Sequence, residues 1–341
     1  MTPAGRTLHL AMALTAACGG SGALRSPDAA GASSHREQLV LSVSDMLWVG
    51  ETRPRAGPGA PPGQDRSLAG SRTITLALDP SPRAMGDAEL AQWVATSATV
   101  VARYLGGWPV ARALVFVAPG EAGKIDGETV DDRGGTIFLR VGRDVSLRVA
   151  NEDWVLVHEM IHLVMPGLGP PHQWLEEGIA TYVEPIARAR AGVISESRVW
   201  AEWLASMPQG LPEATDEGLD HTHTWARTYW GGALYCLVAD VEIRRGTHNG
   251  RSLDDALRAI SRASPGVAEA WPVERFLSTG DAATGLSVLQ DLYERMAMAP
   301  GSVDLAAMWR DLGVSPSGHT VKFDGGARLA YVRQAITSEL R

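Results

Sequence analysis

Residues 155–165 read V-L-V-H-E-M-I-H-L-V-M: two histidines four apart, a glutamate between them, and otherwise only apolar side chains. No other stretch constrains the fold as tightly. A run without glycine, proline or turn residues predicts a buried helix over Trp154–Met165, stopped by Pro166-Gly167. Positions i and i+4 of a helix share one face, so His158 and His162 can aim their imidazoles at one point. Roughly one chain in a hundred of this length and composition would carry the pattern by chance. Two imidazoles one turn apart are a donor pair for Zn²⁺, and Glu159, projecting beside that face, can take a proton from water there.

A catalytic zinc needs three protein ligands and one open position. The third must come from elsewhere in the chain. Residues 166–171 (P-G-L-G-P-P) break the helix sharply, so that a second helix, expected over Trp174–Arg190, can fold back against the first. Its first turns carry Glu176 and Glu177. Adjacent helical positions point about 100° apart, so one of these carboxylates faces the metal. The spacing alone leaves both as candidates.

H158-E-M-I-H162 followed by W174-L-E-E-G178 resembles the gluzincin metallopeptidases, especially the M1 aminopeptidase and M61 glycyl-aminopeptidase groups. Y229-W-G-G-A-L-Y-C-L-V-A-D240-V-E-I-R244 and S252-L-D-D-A-L-R258 are similar to M61 segments, so the resemblance extends over about residues 150–340. It implies one Zn²⁺ per chain on His158, His162 and Glu177, with Glu159 as general base and later proton donor. Tyr229 would hydrogen-bond the developing oxyanion, and the substrate would be a peptide or protein. Two features depart from the groups. The interval from His162 to Glu177 is shorter than in most M1 members, and the upstream G-A-M-E-N segment, whose Glu holds a substrate amino terminus, has no counterpart. The corresponding stretch is expected at D132-R-G-G-T-I-F-L139, as a strand edge able to bind an extended peptide. Aminopeptidase and endopeptidase action both stay open.

Around this motif the 341 residues order themselves as strands first and helices after. Strands are expected over Leu39–Val49, Thr73–Leu78, Ala113–Ala118 and Thr136–Val141, with a helix over Asp87–Leu105 and a turn over Val117–Gly123. Beyond the metal-bearing helices, further helices are expected over Glu196–Ser206, Trp225–Arg245, Leu253–Ser261, Pro272–Ser278, Gly285–Ala297, Val303–Leu312 and Ala327–Leu340. The fold class is α+β and zincin-like: a small mixed sheet packed on the metal-binding helix, then a mostly helical subdomain. The expected divisions are a signal or lipoprotein-type segment at 1–18, a flexible Gly/Ala/Ser-rich tether at 19–36, a zincin-like catalytic subdomain at 37–190 and a helical subdomain at 191–341. Leu8–Ala17 followed by A-A-C-G reads as an export signal in which Cys18 becomes a lipidated first residue, placing the protein in a bacterial cell envelope or outside the cell.

The remaining features bound the function. A net charge of −8 with only two lysines, Lys124 and Lys322, argues against a nucleic-acid binder. Two cysteines, Cys18 and Cys236, make no disulfide framework. P-loop, Rossmann and G-x-S-x-G patterns are absent from the sequence. His221 and His223 could line a cleft and His172 could support a ligand, although loop histidines are more often simply solvated. Asp240, Glu242, Arg244 and Arg245 read as a structural ion-pair patch, Asp254-Asp255 as a helix cap, and Trp154 and Trp174 as packing between the two metal-bearing helices. The competing functional reading is a non-catalytic exported lipoprotein or binding module that keeps the zinc helix as a scaffold. A zinc hydrolase of non-peptide esters or amides is a third.

Overall fold

The computed structural model describes residues 38–42 and 72–338. The leader, Cys18 and the tether lie outside the described residues, as do positions 43–49 of the first expected strand.

Five strands form one mixed sheet. In chain order they are β1 (Gln38–Ser42), β2 (Thr73–Leu78), β3 (Arg112–Gly120), β4 (Ile125–Val130) and β5 (Thr136–Gly142), and in space they run β1-β2-β3-β5-β4. β2, β3 and β5 are parallel, with β1 and β4 antiparallel at the two edges. Alternation along the parallel strands fills one face: Ile74, Leu76 and Leu78 lie beside Ala113, Val115 and Val117, and Val115 and Val117 lie beside Ile137 and Leu139, all buried. Helix α1 (Asp87–Leu105) covers that face with Leu90, Trp93, Val94, Val101 and Leu105. It starts where the Glu89 carboxylate accepts the Gly86 N–H and ends at Gly106 in the left-handed region, φ +70°.

Two expectations are corrected here. Residues 132–139 are no sheet edge, because β5 lies between β3 and β4; the edge strand is β4, I-D-G-E-T-V, whose glycine and mixed polarity give no alternating signal. Val117–Gly123 is not wholly a turn either: β3 continues to Gly120 on its pairing with β5, and the reversal follows at residues 121–124.

A short helix, α2 (Leu147–Glu152), leads into α3 (Val155–Val164), the apolar run that carries His158, Glu159 and His162. Asp153 accepts the Val155 N–H at 2.8 Å to start α3. α4 (Gln173–Arg190) folds back along it, followed by α5 (Glu196–Ser206), a π-helical turn (Arg227–Gly231), α6 (Gly232–Thr247) and α7 (Leu253–Ala263). α8 is Val273–Thr284, α9 Val288–Met296, α10 Leu305–Leu312 and α11 Ala330–Thr337. Gly285, expected to open a helix, instead closes α8 at φ +75°. A hairpin of β6 (Val314–Ser317) and β7 (Thr320–Phe323) stands between α10 and α11, so the last helix begins at Ala330 rather than 327.

α4 and α6 cross with their backbones in contact. A Cβ at Gly178 would sit 2.3 Å from the Gly232 carbonyl carbon, and one at Gly232 would sit 2.0 Å from the Trp174 oxygen. Only hydrogen fits at either position, and this close approach brings the π turn against α4. A buried ion network ties the same helices to α1 and α7. Asp254 accepts from Tyr104 Oη at 2.6 Å and pairs with Arg190 (2.9 Å) and Arg244 (3.2 Å). Asp240 accepts from Arg244 Nε (2.9 Å), Tyr182 Oη (3.0 Å) and the Leu253 N–H (2.8 Å). The expected cap of α7 is therefore Asp255 alone, accepting the Ser252 N–H at 2.9 Å, while Asp254 turns inward.

Candidate metal centre

α3 presents His158 and His162 one turn apart, as the i, i+4 spacing requires, and α4 presents Glu177 between them. His158 Nε2 lies 3.1 Å from His162 Nε2 and 3.1 Å from Glu177 Oε2, and His162 Nε2 lies 3.3 Å from the same oxygen. Donors at the corners of a tetrahedron with zinc bond lengths stand about 3.3 Å apart, which matches this triangle. Each line to one neighbour is about 60° from the next, so the three atoms converge on one point. A cation serves all three. Among the described residues, no other group of His, Cys, Asp and Glu side chains converges in this way.

His158 and Glu177 are buried, whereas the His162 side chain keeps 16% of its surface and is the more exposed imidazole. Burial disfavours the charged form of both His162 and Glu177, but their mutual attraction and hydrogen bonding outweigh it. His162 is raised to about 9, and the Glu177 carboxyl is held well below the usual carboxylate range. Their proximity thus favours the charged form of each.

The loop before α4 separates the two glutamates in space. Glu176 Oε1 accepts the backbone N–H groups of Leu168 and of Gly169, the latter at 3.2 Å, so this carboxylate closes the 166–171 turn and points away from the histidines. Glu177, one step of about 100° further round, faces them.

Glu159 is buried on the other flank of α3, against the edge strand. Thr129 Oγ1 stands 2.7 Å from Glu159 Oε2 and 2.9 Å from the Glu159 carbonyl oxygen. Tyr229 sits in the π turn, where the extra residue per turn re-aims the side chain. Its ring is nearly parallel to the His158 imidazole, 20° and 6.3 Å between centroids, and Trp225 stacks on its far side at 5.4 Å. Buried Arg227 secures this turn through Asp216 and the Gly210 carbonyl.

Other candidates stay outside the triangle. His221 and His223 are exposed loop residues. His172 Nδ1 meets Asp220 Oδ1 at 3.2 Å; that buried carboxylate also accepts from Trp174 Nε1 at 2.6 Å and from the Tyr293 hydroxyl. This cluster anchors the start of α4, and the sequence reading did not find Asp220. Trp154 packs edge-on to His158 at 5.0 Å, while Trp174 faces Tyr235 and Tyr293. Of the expected ion-pair patch, Asp240 and Arg244 belong to the buried network, and Glu242 reaches Arg295 at 3.1 Å near the surface. Gly127 and Thr129 were also missed, because nothing in their sequence marks β4 as a strand.

No family model and no curated protein matches the sequence. Solved structures do match. An aminopeptidase N family protein from Idiomarina loihiensis superposes over 71% of this chain and 48% of its own, with a TM-score of 0.51 and 15% identity. An M1 zinc metallopeptidase from Deinococcus radiodurans covers 66% of this chain and 48% of its own, with a TM-score of 0.44 and 17% identity. The chain thus spans about half the length of these structures, and at such identity the likeness is one of fold. A small mixed sheet on α3, followed by a helical part, gives the chain a fold like that of the aminopeptidase N family structure.

Proposed function

We propose that the chain is a zinc-dependent metallopeptidase that hydrolyses peptide bonds. His158, His162 and Glu177 hold one ion per chain. When bound, zinc supplies a Lewis acid for the scissile carbonyl and acidifies water beside it. Glu159 takes the proton from the attacking water on its carboxylate and returns it to the departing amine. Tyr229 donates its hydroxyl to the carbonyl oxygen as that oxygen gains charge. Strand β4, the sheet edge packed against α3, offers main-chain groups to which an extended substrate can add. The apolar leader and Cys18 support export and a lipid anchor.

One observation carries the reading: three donors stand at zinc spacing around a single point, with a buried carboxylate on the neighbouring residue. The test is metal analysis of the purified protein together with a mixed peptide library. We expect one zinc per chain and cleavage, with Glu159→Gln keeping the zinc and losing turnover by about 100-fold or more. Stoichiometric zinc with no cleaved peptide would instead favour the non-catalytic binding module.

A further inference from the structure

Resting on the function proposed above, we infer that Gly127 and Thr129 are positioning residues that seat the Glu159 carboxylate from the opposite side of the cleft. They lie two apart on β4, and alternate residues of a strand face the same way. Both face α3. A Cβ at Gly127 would lie 2.7 Å from Glu159 Cγ, 3.2 Å from its Cδ and 2.8 Å from Val155 Cγ1, so the stem of Glu159 runs through the space an alanine methyl would need. Thr129 then supplies the polar contact at the tip, with its hydroxyl 2.7 Å from Oε2. The same hydroxyl lies 2.9 Å from the Glu159 carbonyl oxygen, so its single proton is shared between that oxygen and the carboxylate.

The support is rigid. Gly127 pairs with Leu139 and Thr129 with Ile137, and both partners are completely buried in the sheet core. Glu159 has rotatable bonds that burial alone leaves free to choose among rotamers. The missing Cβ at 127 opens one of them and the hydroxyl at 129 selects it. A general base works only within hydrogen-bond reach of its proton, so loss of this selection reduces the chemical step more than substrate binding.

Three variants test the inference: Thr129→Val, which keeps shape and loses the hydroxyl, Thr129→Ser, which keeps the hydroxyl, and Gly127→Ala. Turnover and KM are measured on a cleaved library peptide, zinc content on each protein, and the Glu159 side-chain position in crystal structures. Thr129→Val is expected to lower kcat by about 10–100-fold with KM within about twofold and zinc unchanged, and Thr129→Ser to recover to within about threefold of the parent. Gly127→Ala is expected to displace Glu159 and lower kcat by about 100-fold. In crystals, the carboxylate should leave its seat in Thr129→Val and keep it in Thr129→Ser. A carboxylate unmoved in Thr129→Val, or a serine variant as impaired as the valine, overturns the positioning role and leaves the metallopeptidase reading standing. A parent protein that cleaves nothing defeats that reading, and the crystal comparison still decides the seating of Glu159.

Discussion

Two clusters of buried charge lie in this molecule, and they are built on opposite terms. In the network of Asp240 and Asp254, each carboxylate meets guanidinium, phenol or backbone N–H donors from the protein itself. In the His158, His162 and Glu177 triangle, three metal-type donors face one another. The first is electrically complete and joins α1, α4, α6 and α7. The second has a donor set that a cation could share. Burial by itself therefore does not mark a functional site; the source of the compensating charge does.

Breaking each cluster should have different consequences. Asp254→Ala leaves Arg190 and Arg244 buried without their shared partner and should cost about 3–5 kcal/mol in urea unfolding, equally with and without zinc. A loss that appears only in the zinc-loaded protein would erase the distinction. Glu177→Ala should weaken zinc binding by at least about 100-fold in competition with a chromophoric chelator, whereas Glu176→Ala, which removes a loop cap, should leave zinc affinity within about threefold. Equal losses would make both glutamates ligands.

A third buried pair sharpens the comparison. Glu184 lies against Arg188 at 2.6 Å, yet burial pushes its carboxyl up to about 7. The folded protein then keeps a proton that the unfolded chain releases near the ordinary glutamate value. More protons are bound in the folded state across that window, so stability falls as pH rises from about 4.5 to 7, by about 2 kcal/mol. Unfolding at pH 5 and 7.5 checks this, and Glu184→Gln should flatten the difference. The candidate metal site responds to pH as well. His162, raised to about 9, holds a proton that zinc displaces, so zinc affinity should fall by about tenfold for each pH unit below 9. Titrations at pH 7, 8 and 9 that show no slope would mean that the free site does not hold the proton.

Legibility in the sequence followed the strength of local periodicity. β2, α1 and α5 lie at the expected residues, because their apolar spacing and end signals agree. β4 has a glycine and three polar residues in six, and its strand character comes from pairing with β5. Asp220 is read only once Trp174, His172 and Tyr293 are brought around it from other parts of the chain. The crossing at Gly178 and Gly232 is equally silent, since a glycine in a helical run looks like a weak point until another backbone lies against it.

The sequence by itself determined that His158 and His162 share a helix face and that Glu159 lies beside them, because helical periodicity is a local property of the backbone. It also set out a second acidic helix after the proline-rich break. Only the tertiary structure decided that Glu177 rather than Glu176 closes the triangle, that Tyr229 stacks beside it, and that β4 rather than residues 132–139 forms the sheet edge. Those three outcomes depend on how helices and strands distant in sequence pack together, and local propensity does not contain that information.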